Sequence, residues 1–95
     1  MTLEEIAKKV CSRGKGILAA DESTGTIAKR FQGINVENTE QNRIKFRQSL
    51  FNSEAMKAYI GGVILFDETI KQKTSFGMTV PELILKNNSL PGIKV

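Results

Sequence analysis

Two uninterrupted apolar runs, "GILAA" from Gly16 and "YIGGVILF" from Tyr59, constrain this chain more than any other feature. Neither alternates polar with apolar residues, so both suit strands covered on both faces, as in parallel sheets. Each run stops abruptly on acids, Asp21 and Glu22 after the first, Asp67 and Glu68 after the second. Parallel strands require long crossovers, and the intervening sequence has to supply helices.

Helical signals stand where they are needed. "TLEEIAKKVCSRG" carries Thr2 and Glu5 at capping-box spacing, Leu3, Ile6, Ala7 and Val10 in register, and a terminal Gly14; Cys11 lies on the edge of the apolar stripe and reads as a packed thiol. "STGTIAKRFQG" reads as a helix capped by Ser23 or Thr24 and stopped at Gly33, with Ile27 and Phe31 facing inward. In "NTEQNRIKFRQSLF", Asn38 and Gln41 have capping spacing, and Phe46 with Leu50 and Ile44 with Phe51 supply the apolar side. "TVPELILKN" places Thr79 three residues before Glu82, with Pro81 in the first turn. The chain then turns at "NNSLPG" and enters a third strand at "IKV".

This order predicts an α/β fold of parallel strands joined by right-handed crossover helices. Three such strands leave apolar faces and edges uncovered, whereas a closed (β/α)8 barrel takes about 250 residues. The 95 residues, 1–95, therefore read as a single partial domain, the opening third of something larger. Fourteen Lys and Arg against ten Asp and Glu give a net charge of +4, which favours anionic ligands. The cations are spread along the chain, which argues for phosphate-bearing ligands over nucleic acid. One cysteine and no histidine leave a His or Cys metal site almost no ligands and allow no internal disulfide. No run approaches membrane-spanning length and the opening residues lack the apolar core of a signal peptide, so no membrane partner is expected and the cytoplasm is the expected compartment.

In parallel α/β folds, ligands gather where strands end and loops begin. Asp21 stands at such a point, and an acid ahead of a helix also serves simply to complement the helix dipole. Ser23, Thr26 and Arg30, three and four residues apart, bring two hydroxyls and a guanidinium to one side of a helix start, where a phosphate could sit. The plainer reading makes Ser23 a cap and Arg30 a solvated cation, and spacing alone leaves both open. Gly14, Lys15 and Gly16 lack the spacing of a nucleotide-binding loop. Asp67 and Glu68 could face a ligand or metal, or orient Lys71 and Lys73.

"KGILAADESTGTIAKRF", "NVENTEQNRIKFRQ", "GGVILFDETIKQK" and "GIKV" closely resemble the N-terminal portion of class I fructose-1,6-bisphosphate aldolases, in the same order and over nearly the whole chain. The resemblance implies the start of a (β/α)8 barrel in an enzyme, commonly tetrameric, that reversibly cleaves fructose 1,6-bisphosphate to dihydroxyacetone phosphate and glyceraldehyde 3-phosphate through a lysine Schiff base, without metal. It further implies that Asp21 is the aspartate of the "AADES" motif, beside the Schiff-base lysine and helping to polarise the bond being cleaved. Ser23 matches a serine binding the phosphate distant from the Schiff-base carbon, Thr26 stands where many members carry a serine with the same task, and Arg30 matches the arginine of "AKR" near that phosphate, with Lys29 beside it. In the family the sequence continues from "GIKV" into "DKG" with an active-site lysine, and the Schiff-base lysine, the glutamate acid/base groups and the other phosphate site come later. The chain on its own is therefore expected to be inactive. The competing expectation is a non-enzymatic phosphate-binding or interaction module derived from the same fold, which would fold cooperatively and bind as it stands.

Overall fold

The computed structural model describes residues 1–94. Thr2 caps α1 (Leu3–Val10) through a complete capping box: its hydroxyl accepts from the Glu5 amide and the Glu5 carboxylate accepts from the Thr2 amide, each at 3.2 Å. Gly14 reverses the chain at φ 80°, and β1 (Gly16–Ala20) follows. Then come α2 (Thr24–Gly33), α3 (Glu40–Phe51), α4 (Glu54–Tyr59), β2 (Ile60–Leu65), α5 (Asp67–Lys71), α6 (Val80–Lys86) and β3 (Leu90–Ile93). The strands form one parallel sheet in the order β1-β2-β3, with Leu18 opposite Val63 and Val63 opposite Pro91.

Successive strand residues point to opposite faces. Ala20, Val63 and Leu65 turn to the helical side and form the core with Phe51, Met56, Val80, Leu83 and Ile84. Buried polar groups tie this core to the chain reversals. Asn87 donates from Nδ2 to the Phe51 carbonyl at 2.7 Å, and Ser89 donates from Oγ to the Ile60 carbonyl at 2.6 Å.

The other sheet face departs from the expectation of strands covered on both sides. Ile17 is 56% exposed, and Ile17, Ile64 and Leu90, with Ile6 and Val10 of α1, line an open apolar groove of about 220 Å³. Three strands do not curl far enough for that face to be filled by strands opposite, as happens in a closed barrel.

Local details shift as well. Cys11 is exposed rather than packed, because α1 lies on the sheet through Ile6 and Val10 and buries none of its residues fully. Thr39, not Asn38, caps α3, accepting from the Asn42 amide at 3.1 Å. The buried face of α3 is Arg43, Arg47 and Phe51, while Phe46 and Leu50 are partly exposed. The inward arginines are stabilised by an acid on a distant element, which periodicity within the helix cannot reveal. Two short helices, α4 and α5, were not expected, and β3 begins at Leu90, earlier than "IKV"; Val95 lies outside the described residues.

Candidate active site

The carboxyl ends of the three strands lie at one end of the sheet. Asp21 follows β1 directly, and Ser23 caps α2: its Oγ accepts from the Thr26 amide at 3.3 Å and lies 3.2 Å from the Thr26 hydroxyl. The two hydroxyls are thus neighbours at the positive end of a ten-residue helix, an arrangement that favours an anion. Thr26 is exposed, so its hydroxyl stands open to solvent.

Arg30 is not directed at these hydroxyls. Its guanidinium, with a side chain 59% exposed, lies 3.5 Å from the Glu22 carboxylate. Lys29 is likewise exposed. The structure therefore brings Asp21, Ser23 and Thr26 to one strand end and places Arg30 one turn away, held by Glu22.

A group that sequence reasoning missed completes the picture. Lys94, just beyond β3, reaches across the end of β2 to Asp21. Its Nζ donates to the Asp21 carbonyl at 2.9 Å, lies 3.5 Å from the carboxylate, and sits 5.5 Å from the centre of the Phe66 ring. No local signal could have found this pair, since 73 residues separate the partners.

The second acidic pair divides. Asp67 pairs with Lys71 at 3.0 Å, as spacing suggested. Glu68 turns inward to two arginines and to neither lysine. It accepts from Arg43 Nε at 2.9 Å and Nη2 at 2.6 Å, a bidentate fork, and lies 3.7 Å from Arg47 Nη1. The hydrogen bond from Arg43 holds the Glu68 carboxyl below its ordinary range; the charges of Arg43 and Arg47 add to this, and burial opposes it. The same bond raises the Arg43 guanidinium, whereas burial lowers that of Arg47. Arg43, Arg47 and Phe51 share one helical face, but nothing within the helix shows that this face turns inward to Glu68. Among the described residues, no group of three or more His, Cys, Asp or Glu could hold a metal ion, and no helix is long and apolar enough to cross a membrane. Lys15, of the "GKG" segment, donates to the Lys57 carbonyl at 2.7 Å, at the opposite end of the sheet from these groups.

A model of the family described as "Glycolytic: Fructose-bisphosphate aldolase class-I" matches residues 2–95. The chain belongs to the class I fructose-bisphosphate aldolase family. It is 55% identical over 93 residues to fructose-bisphosphate aldolase 7, cytosolic, of Arabidopsis thaliana, and 55% identical over 94 residues to fructose-bisphosphate aldolase A of Salmo salar. Each of these matches takes in 98% of this chain and 26% of the relative, so the chain spans about a quarter of the aldolases it matches. The fold matches a solved aldolase of Plasmodium falciparum, determined in complex with TRAP and a small-molecule inhibitor, with a TM-score of 0.91 and 48% identity over 96% of this chain and 26% of that one. With its parallel sheet and crossover helices, the chain has the α/β fold of the N-terminal part of an aldolase (β/α)8 barrel.

Proposed function

We propose that these residues form the first strands, and one wall of the sugar-phosphate site, of a glycolytic class I aldolase that reversibly cleaves fructose 1,6-bisphosphate to two triose phosphates through a lysine Schiff base. The observation that carries this reading is the convergence of Asp21, the paired Ser23 and Thr26 hydroxyls and Lys94 at the carboxyl ends of parallel strands, where α/β barrels place their chemistry. In this reading Asp21 acts at the reacting carbons, with the Lys94 ammonium 3.5 Å from its carboxylate. Ser23 and Thr26 donate to the phosphate distant from the Schiff-base carbon, aided by the first-turn amides of α2. Arg30 contributes charge near that phosphate once it exchanges its Glu22 partner for the substrate.

Residues 1–95 constitute a partial domain in this account, and the assembled enzyme works in the cytosol as a homotetramer. The nucleophilic lysine and the acid/base glutamates lie outside these residues, so the 95-residue chain alone performs no cleavage. The test is complementation. The isolated chain incubated with fructose 1,6-bisphosphate should release no triose phosphate, and joining it to the remaining three quarters of an aldolase relative should restore release. Turnover by the isolated chain that borohydride abolishes would refute the reading.

A further inference from the structure

The site reading above leaves one buried group without a task. Arg47 is 1% exposed, and its Nε and Nη1 make no hydrogen bond among the described residues. A buried guanidinium left partly unsatisfied is costly, and an apolar side chain of similar volume often serves stability as well or better. Something other than stability accounts for an arginine here.

Its one hydrogen bond identifies that role. Arg47 Nη2 donates to the Glu22 carbonyl at 2.5 Å, the peptide between Glu22 and Ser23. The Thr24 carbonyl, one residue beyond Ser23, accepts from Asn38 Nδ2 at 3.4 Å, and Asn38 Oδ1 accepts from Arg43 Nη1 at 2.8 Å. Both arginines converge on Glu68, in the first turn after β2. The carbonyls of Glu22 and Thr24, the residues on either side of Ser23, are therefore both anchored, through one charged network, to the tip of the neighbouring strand.

We propose that Arg47, with Arg43 and Glu68, is a positioning device that fixes the Glu22–Thr24 backbone so that the Ser23 and Thr26 hydroxyls meet the distal phosphate. The inference rests on the assignment of those hydroxyls to that phosphate. It makes Arg47 a determinant of the preference for a sugar bisphosphate over a sugar carrying only the 1-phosphate, since the latter offers the hydroxyls nothing to hold.

The experiment is Arg47→Met in the full-length protein carrying these residues, assayed with fructose 1,6-bisphosphate and with fructose 1-phosphate. Displacement of a positioning contact predicts a fall in kcat/KM of about ten- to a hundredfold for the bisphosphate and about threefold or less for the monophosphate. Thermal stability should stay within a few degrees of the parent. Guanidinium ion added to Arg47→Ala should restore part of the lost preference. Glu68→Gln, which leaves Arg47 in place but removes its anchor, should shift the preference in the same direction and covers the case in which Arg47→Met does not fold. A folded Arg47→Met or Glu68→Gln that discriminates between the two substrates as the parent does overturns the proposal. Failure of both variants to fold overturns it too, by making the cluster structural. Ser23→Ala separates this from the site reading: if it also leaves the preference intact, the assignment of the hydroxyls has failed, whereas a Ser23→Ala that erodes it beside an unaffected Arg47→Met refutes the positioning role alone.

Discussion

Gly61→Ala tests how the N-terminal helix is seated on the sheet. A Cβ at Gly61 would stand 2.7 Å from the Val10 carbonyl oxygen and 3.2 Å from that of Lys9, both backbone atoms at the end of α1. The first is about 0.5 Å or more inside van der Waals contact and the second is tight by only a few tenths of an ångström, and neither backbone oxygen can rotate away. Overpacking of this kind costs about 1–3 kcal/mol, while the loss of glycine's freedom in the unfolded chain returns about 0.4–1 kcal/mol. The net penalty also has a ceiling. Because α1 holds the sheet through Ile6 and Val10, undocking the helix forfeits the partial burial of two aliphatic side chains, about 2–3 kcal/mol. We therefore expect a destabilisation of about 1–2 kcal/mol, expressed locally as undocking of α1.

Hydrogen exchange on the full-length protein reads this directly, because eight residues cannot persist as an isolated helix. Protection of the α1 amides should fall roughly tenfold for each 1.4 kcal/mol of easier opening. Gly62→Ala is the internal comparison. Its Cβ would meet the Val10 Cγ1 at 3.2 Å, a side-chain atom able to shift, and the loss of protection should be smaller. Equal losses in the two variants, or α1 protection unchanged in Gly61→Ala, would refute the close approach.

Two further perturbations probe the polar interior. Asn87→Ala should destabilise the protein by about 1–3 kcal/mol, seen as a lower thermal midpoint, because the Phe51 carbonyl loses its buried donor. Glu68 should govern part of the acid limb of stability. Its folded-state carboxyl is held below the ordinary glutamate value of 4.5, so its contribution is complete above that pH and is lost as pH falls through the depressed value. Glu68→Gln should flatten the pH dependence below about 4.5, measured by urea denaturation at several pH values; an unchanged acid limb would contradict the bidentate pairing with Arg43.

What the sequence disclosed was local. Thr2, Ser23 and Thr79 cap the helices they precede because an N-cap bond spans three residues, and each cap accepts from the expected amide. The parallel strands and the acids closing them were legible for the same reason, since apolar runs need no partner to be noticed. The inward face of α3 was not: Arg43 and Arg47 take it because Glu68, from α5, supplies the countercharge. The mispacking assigned to Cys11 came from reading an apolar stripe as a buried one, where α1 in fact lies against the sheet along a narrow seam.

The candidate site shows the same division. Hydroxyls at the start of α2 could be read from the spacing of Ser23 and Thr26, and the structure places them 3.2 Å apart. Arg30 shared their spacing but not their direction, because Glu22 competes for it. Lys94 beside Asp21 arises only when β3 lies next to β2, a consequence of topology that no window of sequence contains.

The most direct test of the central claim is steady-state cleavage of fructose 1,6-bisphosphate by the full-length protein with Asp21→Ala. If Asp21 acts at the reacting carbons, kcat should fall by about a hundredfold or more while KM changes only a few-fold. A correctly folded Asp21→Ala enzyme with kcat near the parent value would contradict the account.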